Sequence, residues 1–233
     1  MRAAAADVLA GLVPGGGPVL AVCAHPDDES FGLGAVLSTL AGAGIASAVL
    51  CFTHGEASSL GTVAGDLARL RADELAAAAA TLGVCRAELL DYPDGALATV
   101  ALEELATCVA ERAERVRATG LVVFDEDGIT GHPDHRQATA AALLAADWQD
   151  LAVVAWTVPD RVARVLNAEF GTAFVGRASH DIDATIRVDR AIQRRAIACH
   201  ASQSADNPVV WRRLELLGDE EHLRRLRPRR TDR

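Results

Sequence analysis

The sequence predicts an α/β fold in which a mostly parallel sheet is covered by helices on both faces. Three observations carry that reading. Four short runs, 18–24, 46–52, 121–124 and 151–157, are apolar but for Ser47 and Thr157 and of strand length, the pattern of strands buried on both faces. The segments between them have helical length and patterning. Strand and helix alternate up to about residue 158, as they do in sheets built from crossover connections.

Residues 3–12 form an Ala-rich helix, stopped by Pro14 and Gly15-Gly16-Gly17. The strand 18–24 follows. A helix over 31–42 carries Gly32, Gly34 and Ala35, small enough to pack close to a sheet. The strand 46–52 leads into a polar loop, 53–65. A strong helix spans 66–83, with Gly83 as its stop. A short strand, 87–90, runs into the turn Tyr92-Pro93-Asp94-Gly95. Helix 100–118, strand 121–124, helix 133–146 and strand 151–157 complete the alternation. Beyond it, 161–168 reads as helix, 182–188 alternates like an edge strand, and helices cover 191–201 and 209–226. The expected organisation is one domain, 1–233, with a core of about 18–158. A C-terminal subdomain or lid of about 159–226 and a frayed basic tail, 227–233, follow.

Acidic residues outnumber basic ones 32 to 23, a net charge of −9. Phosphate backbones require a basic field, so nucleic acid is not the expected partner. Five cysteines, at 23, 51, 85, 108 and 199, form no CxxC pair. Cys23 and Cys51 lie in strand runs and read as small buried hydrophobes. This usage fits a reducing compartment, so a cytoplasmic location is expected. The first twelve residues make a poor signal peptide, and no apolar stretch approaches the roughly 20 residues that span a bilayer. A homo-oligomer is compatible with the sequence, which sets no copy number.

Two polar clusters carry the chemistry. Ala24-His25-Pro26-Asp27-Asp28-Glu29 follows the first strand, and Gly131-His132-Pro133-Asp134-His135 follows the run 121–124. Each opens a helix. Ligands of parallel sheets bind outside the carboxyl ends of strands, so the clusters can converge across about 110 residues of chain. Together they hold the imidazoles and carboxylates of a hydrolytic zinc site that keeps one position for water. His25 and Asp28 are three positions apart, as are His132 and His135, a spacing that turns both side chains toward one point. Asp27 points elsewhere and can serve as general base. His132 can face the substrate as an electrophilic or acid partner. Either cluster alone also reads as helix capping, its acids complementing the dipole. Two of them, each behind a buried strand, favour the metal reading.

At these residues the chain resembles the LmbE-like, or GlcNAc-phosphatidylinositol de-N-acetylase, family, whose pattern is an AHPDDE-type segment and a later HPDH-type segment. The resemblance extends to Arg71-Ala72-Asp73-Glu74-Leu75, Leu82-Gly83-Val84, Asp94-Gly95 and His200-Ala201-Ser202-Gln203, over roughly residues 18–205. It implies a Rossmann-like fold and one Zn2+ ion held by His25, Asp28 and His135. It implies Asp27 as general base, and His132 as stabiliser of the tetrahedral intermediate or acid for the departing amine. Arg71 and Asp94 are implied substrate contacts, Asp94 to sugar hydroxyls. Arg71 with Glu74 also reads as a helix-surface ion pair, and Asp94 as a turn opener.

One departure stands out. Some relatives carry a Tyr two residues before the first His of the second motif, and here that position is Thr130. Asp125, Glu126 and Asp127 are read as supports of the second cluster, and His54 and Glu56 as the pocket rim. The Arg-rich end, including Arg224, Arg225, Arg227, Arg229 and Arg230, is read as a solvated terminus. The expected activity is zinc-dependent hydrolysis of an N-acetyl or N-acyl group from an amino sugar or its conjugate. One rival is a metal-dependent phosphoesterase, which lacks an obvious second-metal set and phosphate cradle. The other is a non-catalytic sugar-binding module, against which the intact Asp27 speaks.

Overall fold

The computed structural model describes residues 5–13, 16–60 and 66–229. Pro14, Gly15, the end of the polar loop at 61–65, and Arg230 with the last residues lie outside the described residues, as do residues 1–4.

Helix α1 (Ala5–Leu12) precedes β1 (Val19–Cys23). The helix expected over 31–42 is split into α2 (Asp28–Phe31) and α3 (Gly34–Gly42). Strand β2 (Ser47–Thr53), α4 (Leu67–Leu82) and β3 (Arg86–Tyr92) follow, then α5 (Leu102–Val116) and β4 (Gly120–Phe124). The turn α6 (Gly128–Gly131) leads into α7 (Pro133–Gln149), β5 (Ala152–Pro159) and α8 (Asp160–Phe170). The chain ends through β6 (Gly176–Arg177), β7 (Ala184–Arg187), α9 (Arg190–Cys199), α10 (Ala201–Ser204), α11 (Pro208–Leu217) and β8 (Glu220–Arg227). Helix α4 is bounded as its sequence requires. Asp66 accepts from the Arg69 N–H at 3.1 Å, and Gly83 closes the far end at φ 78°.

The sheet runs β3-β2-β1-β4-β5-β8-β7, with β6 beside β5. Pairs from β3 to β5 are parallel, and β8 is antiparallel to both β5 and β7. Successive strand residues feed opposite layers. Val122 and Phe124 of β4, with Val154 and Trp156 of β5, pack beneath α3 and α8. Leu121 and Val123, with Val153 and Ala155, pack beneath α5 and α7. Burial on both faces is why these runs carry no polar alternation.

The helix expected over 209–226 is corrected. Helix α11 ends at Leu217, Gly218 turns the chain at φ 61°, and β8 enters the ladder between β5 and β7. Hydrogen bonds to a neighbour on each side outweigh the weak local preference of this charged run. The solvated terminus is corrected with it. Arg227 is buried in β8, and its Nε donates to Asp147 at 2.6 Å. Arg224 Nη1 donates to Asp125 at 2.5 Å.

The chain leaves β1 toward β2 and β3, then returns to place β4 on the other side of β1. The strand order reverses there. Such a reversal opens a crevice outside the carboxyl ends of the two strands, and the two polar clusters stand at those ends.

Candidate active site

Asp28 closes the turn after β1. Its Oδ2 accepts from the N–H groups of Ala24 (2.9 Å) and His25 (3.0 Å). Its Oδ1 lies 3.1 Å from His135 Nε2. His135 rides on the first turn of α7, where Pro133 fills a position that needs no donor. His132 caps that helix, its Nδ1 accepting the Asp134 N–H at 3.3 Å. His25 Nδ1 lies 3.2 Å from His135 Nε2. One ring nitrogen from each of His25, His132 and His135 falls within 4.8 Å of the others.

The remaining nitrogens of His25 and His135 are committed. His25 Nε2 faces Asp94 at 3.0 Å and Asp134 at 3.3 Å. His135 Nδ1 faces the Gly128 carbonyl at 3.1 Å. Those oxygens accept, so in the neutral, cation-binding form each ring would carry its proton on that side. In that form His25 Nδ1 and His135 Nε2 would present two lone pairs to one point beside the Asp28 carboxylate. A cation between them satisfies all three. The donor set therefore fits a divalent metal with coordination left for water.

Asp134 stands where the orienting carboxylate of a metal-bound imidazole would stand. It is fully buried and also accepts from the N–H groups of Gly95 (2.7 Å) and Leu97 (3.1 Å). From sequence alone Asp134 reads only as a capping acid. Its place inside the second motif was the available signal. Burial opposes an imidazolium at His25, yet the bonds to Asp134 and Asp94 outweigh it and raise its pKa to about 10. Burial raises the Asp28 pKa, but His135 and His25 more than reverse this and hold it below the usual range. Burial lowers the His132 pKa, and His135 and His25 add to that, so His132 is neutral at pH 7. Because its Nδ1 accepts, its proton sits on Nε2, where it can donate.

Asp27 has φ 119°, a backbone state that costs a non-glycine residue energy and is held by its surroundings. Its N–H donates to Glu29 Oε2 at 3.0 Å, and Glu29 Oε1 pairs with the buried His200 Nε2 at 2.6 Å. Arg71 Nη2 donates to Asp27 Oδ2 at 2.8 Å and to the Pro26 carbonyl, while Nη1 donates to the Gly55 carbonyl at 2.6 Å. Gly55 has φ 66°, and a Cβ there would overlap the guanidinium. Burial raises the Asp27 pKa to about 6; Arg71 restrains the rise and Asp28 adds to it.

The helix-surface alternative for Arg71 is corrected: the guanidinium is buried under Asp27, and Glu74 accepts from the Ser202 N–H and hydroxyl instead. Asp94 does more than open a turn. Its Oδ1 faces His25, and its Oδ2 accepts the Ala57 N–H at 2.8 Å. All seven residues singled out from the sequence line one cavity of about 590 Å³. Glu56 supports it by accepting the Asp94 N–H, but His54 does not line it and faces Asp91 at 2.9 Å. Asp125 and Asp127 both hold Arg177. Thr130 lines the cavity, and the chain's one tyrosine, Tyr92, donates to Glu104 away from it.

Residues 20–146 match the model of the GlcNAc-PI de-N-acetylase (PIG-L) family. The chain belongs to that family. A 1D-myo-inositol 2-acetamido-2-deoxy-alpha-D-glucopyranoside deacetylase of Nakamurella multipartita is 32% identical over 79% of this chain and 79% of its own. Against several other relatives of that name, the match spans about half of their length. The N,N'-diacetylchitobiose deacetylase of Pyrococcus horikoshii superposes with a TM-score of 0.64 at 21% identity, over 89% of this chain and 82% of its own. A 4-carboxy-2-hydroxymuconate hydratase from Pseudomonas putida KT2440 superposes at 0.69 and 18%, over 91% and 97%. At such identities these structures share the fold, and the fold alone does not choose a reaction.

Proposed function

We propose that this PIG-L-family chain is a zinc-dependent N-deacetylase that removes an acetyl or similar acyl group from an amino sugar or its conjugate. The observation that carries the reading is the convergence of two imidazole nitrogens, His25 Nδ1 and His135 Nε2, 3.2 Å apart beside Asp28. Asp27, held by Arg71, stands next to them. Relatives near one-third identity bear deacetylase names, which favours amide hydrolysis over the hydratase chemistry of a more distant protein with the same fold.

His25, Asp28 and His135 would hold the ion. A bound divalent cation would bring the pKa of water toward neutrality and polarise the amide carbonyl. Asp27 takes the proton of the attacking water. His132 donates its Nε2–H to the oxygen that gains charge. Its part is larger here because Thr130 stands where some relatives place a tyrosine. Asp27 then returns its proton to the departing nitrogen, releasing free amine and acetate. Arg71 positions Asp27, and Asp94 reaches sugar hydroxyls from the rim while steadying His25. The five cysteines are free, which suits a cytoplasmic enzyme. No helix among the described residues is long and apolar enough to cross a membrane.

The test is acetate release by zinc-loaded protein over N-acetylglucosaminyl-inositol, N-acetylated chito-oligosaccharides, simple N-acetylglucosaminides and acylated glycopeptides. Release from at least one, lost in Asp27→Asn with zinc retained, is expected. Silence across the panel by protein that binds zinc stoichiometrically would overturn the catalytic reading and favour a sugar-binding module.

A further inference from the structure

The cavity has a second end that this chemistry leaves unused. An aromatic wall leads away from the metal-binding edge. Phe124 packs edge-on to His135 with ring centroids 4.9 Å apart, and against Trp156 at 5.2 Å. The Arg213 guanidinium lies over the Trp156 ring at 4.9 Å. All four residues line the cavity. The wall reaches its position because residue 32 is glycine: a Cβ there would overlap Phe124 and press on Trp156 at 3.1 Å.

Arg213, on α11, is only 7% exposed. Its Nη2 donates to the Phe31 carbonyl, and its Nε is buried without an acceptor. Among the described residues no carboxylate pairs with it. Glu221, the acid whose charge acts on it most, spends Oε1 on Arg190 at 2.6 Å and Oε2 on the Trp156 Nε1–H at 2.7 Å. Burial lowers the Arg213 pKa to about 10, which leaves it cationic at pH 7. A buried charge without a counter-charge is costly, and cores ordinarily pair it or replace it. A stacked guanidinium with unspent donors on a cavity wall matches two oxygens of one carboxylate or phosphate. A wholly neutral ligand would leave it unpaired.

We infer that Arg213 is the anion-binding residue of this pocket, and that the chain acts on an N-acylated amino-sugar conjugate bearing a carboxylate or phosphate. The inference rests on the deacetylase reading for the reaction, but not for binding. The anion can sit on the group attached to the sugar or on the acyl chain, with the aromatic wall spanning the distance to the metal-binding edge.

The probes are methyl N-acetylglucosaminide, its carboxymethyl and phosphate counterparts, and methyl N-succinylglucosaminide. Turnover by the zinc-loaded enzyme and calorimetric binding are measured for wild type, Arg213→Met and Arg213→Lys. At least one anionic probe is expected to exceed the neutral one by roughly ten- to a hundredfold, the range of charge-assisted hydrogen bonds. Which probe does so tells the aglycone anion from the acyl anion. Arg213→Met should collapse that ratio toward one, chiefly through KM. Arg213→Lys, which keeps charge and loses the planar fork, should retain part of it and carries the comparison if the Met variant does not fold. Anion preference in binding that Arg213→Met removes, without hydrolysis of any probe, upholds the anion site and overturns the deacetylase reading. Hydrolysis of all probes with no anion preference, or a preference unchanged in both variants, overturns the anion site and leaves the deacetylase reading standing.

Discussion

The Arg71 guanidinium meets the Asp27 carboxylate at 2.8 Å, across 44 residues of chain. One is seated in α4 and the other in the turn after β1, so the fold itself fixes the orientation of the proposed general base. Replacing Arg71 with Met removes a charge that restrains the Asp27 pKa. The expected result is a lower kcat, by about 10- to 100-fold, with the acidic limb of the pH–rate profile moved to higher pH. A rise in KM alone, with that limb unmoved, would assign Arg71 to substrate contact instead.

Asp27→Asn keeps the shape of the side chain and removes its basicity. Zinc content should stay near wild type while kcat falls by about 10²- to 10⁴-fold, the usual worth of a general base. His25→Ala and His135→Ala should instead lose the metal, read by elemental analysis of the purified proteins. Near-normal hydrolysis by Asp27→Asn would show that the base lies elsewhere.

In the proposed site Asp134 would act on the metal through His25, whose Nε2 it faces at 3.3 Å. In Asp134→Asn the imidazole loses its charged acceptor, though Asp94 remains 3.0 Å away on the same nitrogen. Zinc affinity, measured by chelator competition, should fall by about 10- to 100-fold. Unchanged affinity would mean that Asp94 alone orients the ring.

The pH dependence follows from burial of Asp27. Its carboxyl pKa is raised to about 6, so the base is ionised at pH 7 and becomes protonated as pH drops through that value. Activity should therefore fall on acidification, and a bound cation, which favours the ionised carboxylate, moves the limb lower. Single-turnover rates with metal content checked at each pH provide the measurement. A rate that stays flat to pH 4.5 with zinc retained would contradict the assignment.

Gly55 seats Arg71. In Gly55→Ala the new Cβ meets the guanidinium and must also adopt φ 66°. A loss of about 1–3 kcal/mol, typical of overpacking, is expected in urea melts, together with reduced turnover. A variant within 0.5 kcal/mol of wild type would mean that Arg71 can shift without cost.

Much of this was legible in the chain. Runs such as Val19–Cys23 and Gly120–Phe124 are buried on both faces, so their hydrophobicity is continuous and visible without coordinates. The capping pair Asp66 and Gly83 bounds its helix by local chemistry alone. Strand β8 was not legible. Its charged side chains find ion pairs, with Arg224 on Asp125 and Arg227 on Asp147, only once β5 and β7 flank it. Arg213 left no signal either, since one arginine in a helix reads as solvent-facing until the cavity encloses it.

The sequence by itself determined the alternating α/β plan and the two His- and Asp-bearing motifs behind buried strands, because periodicity and spacing act over a few residues. Only the tertiary structure decided which group orients which: Asp134 and Asp94 on His25, Arg71 on Asp27, Glu29 between Asp27 and His200, and Arg213 with no carboxylate paired to it among the described residues. Those relationships join segments up to 171 residues apart, and hydrogen bonds act over about 3 Å. The reversal of strand order between β1 and β4, which no local pattern encodes, brings the distant segments into reach.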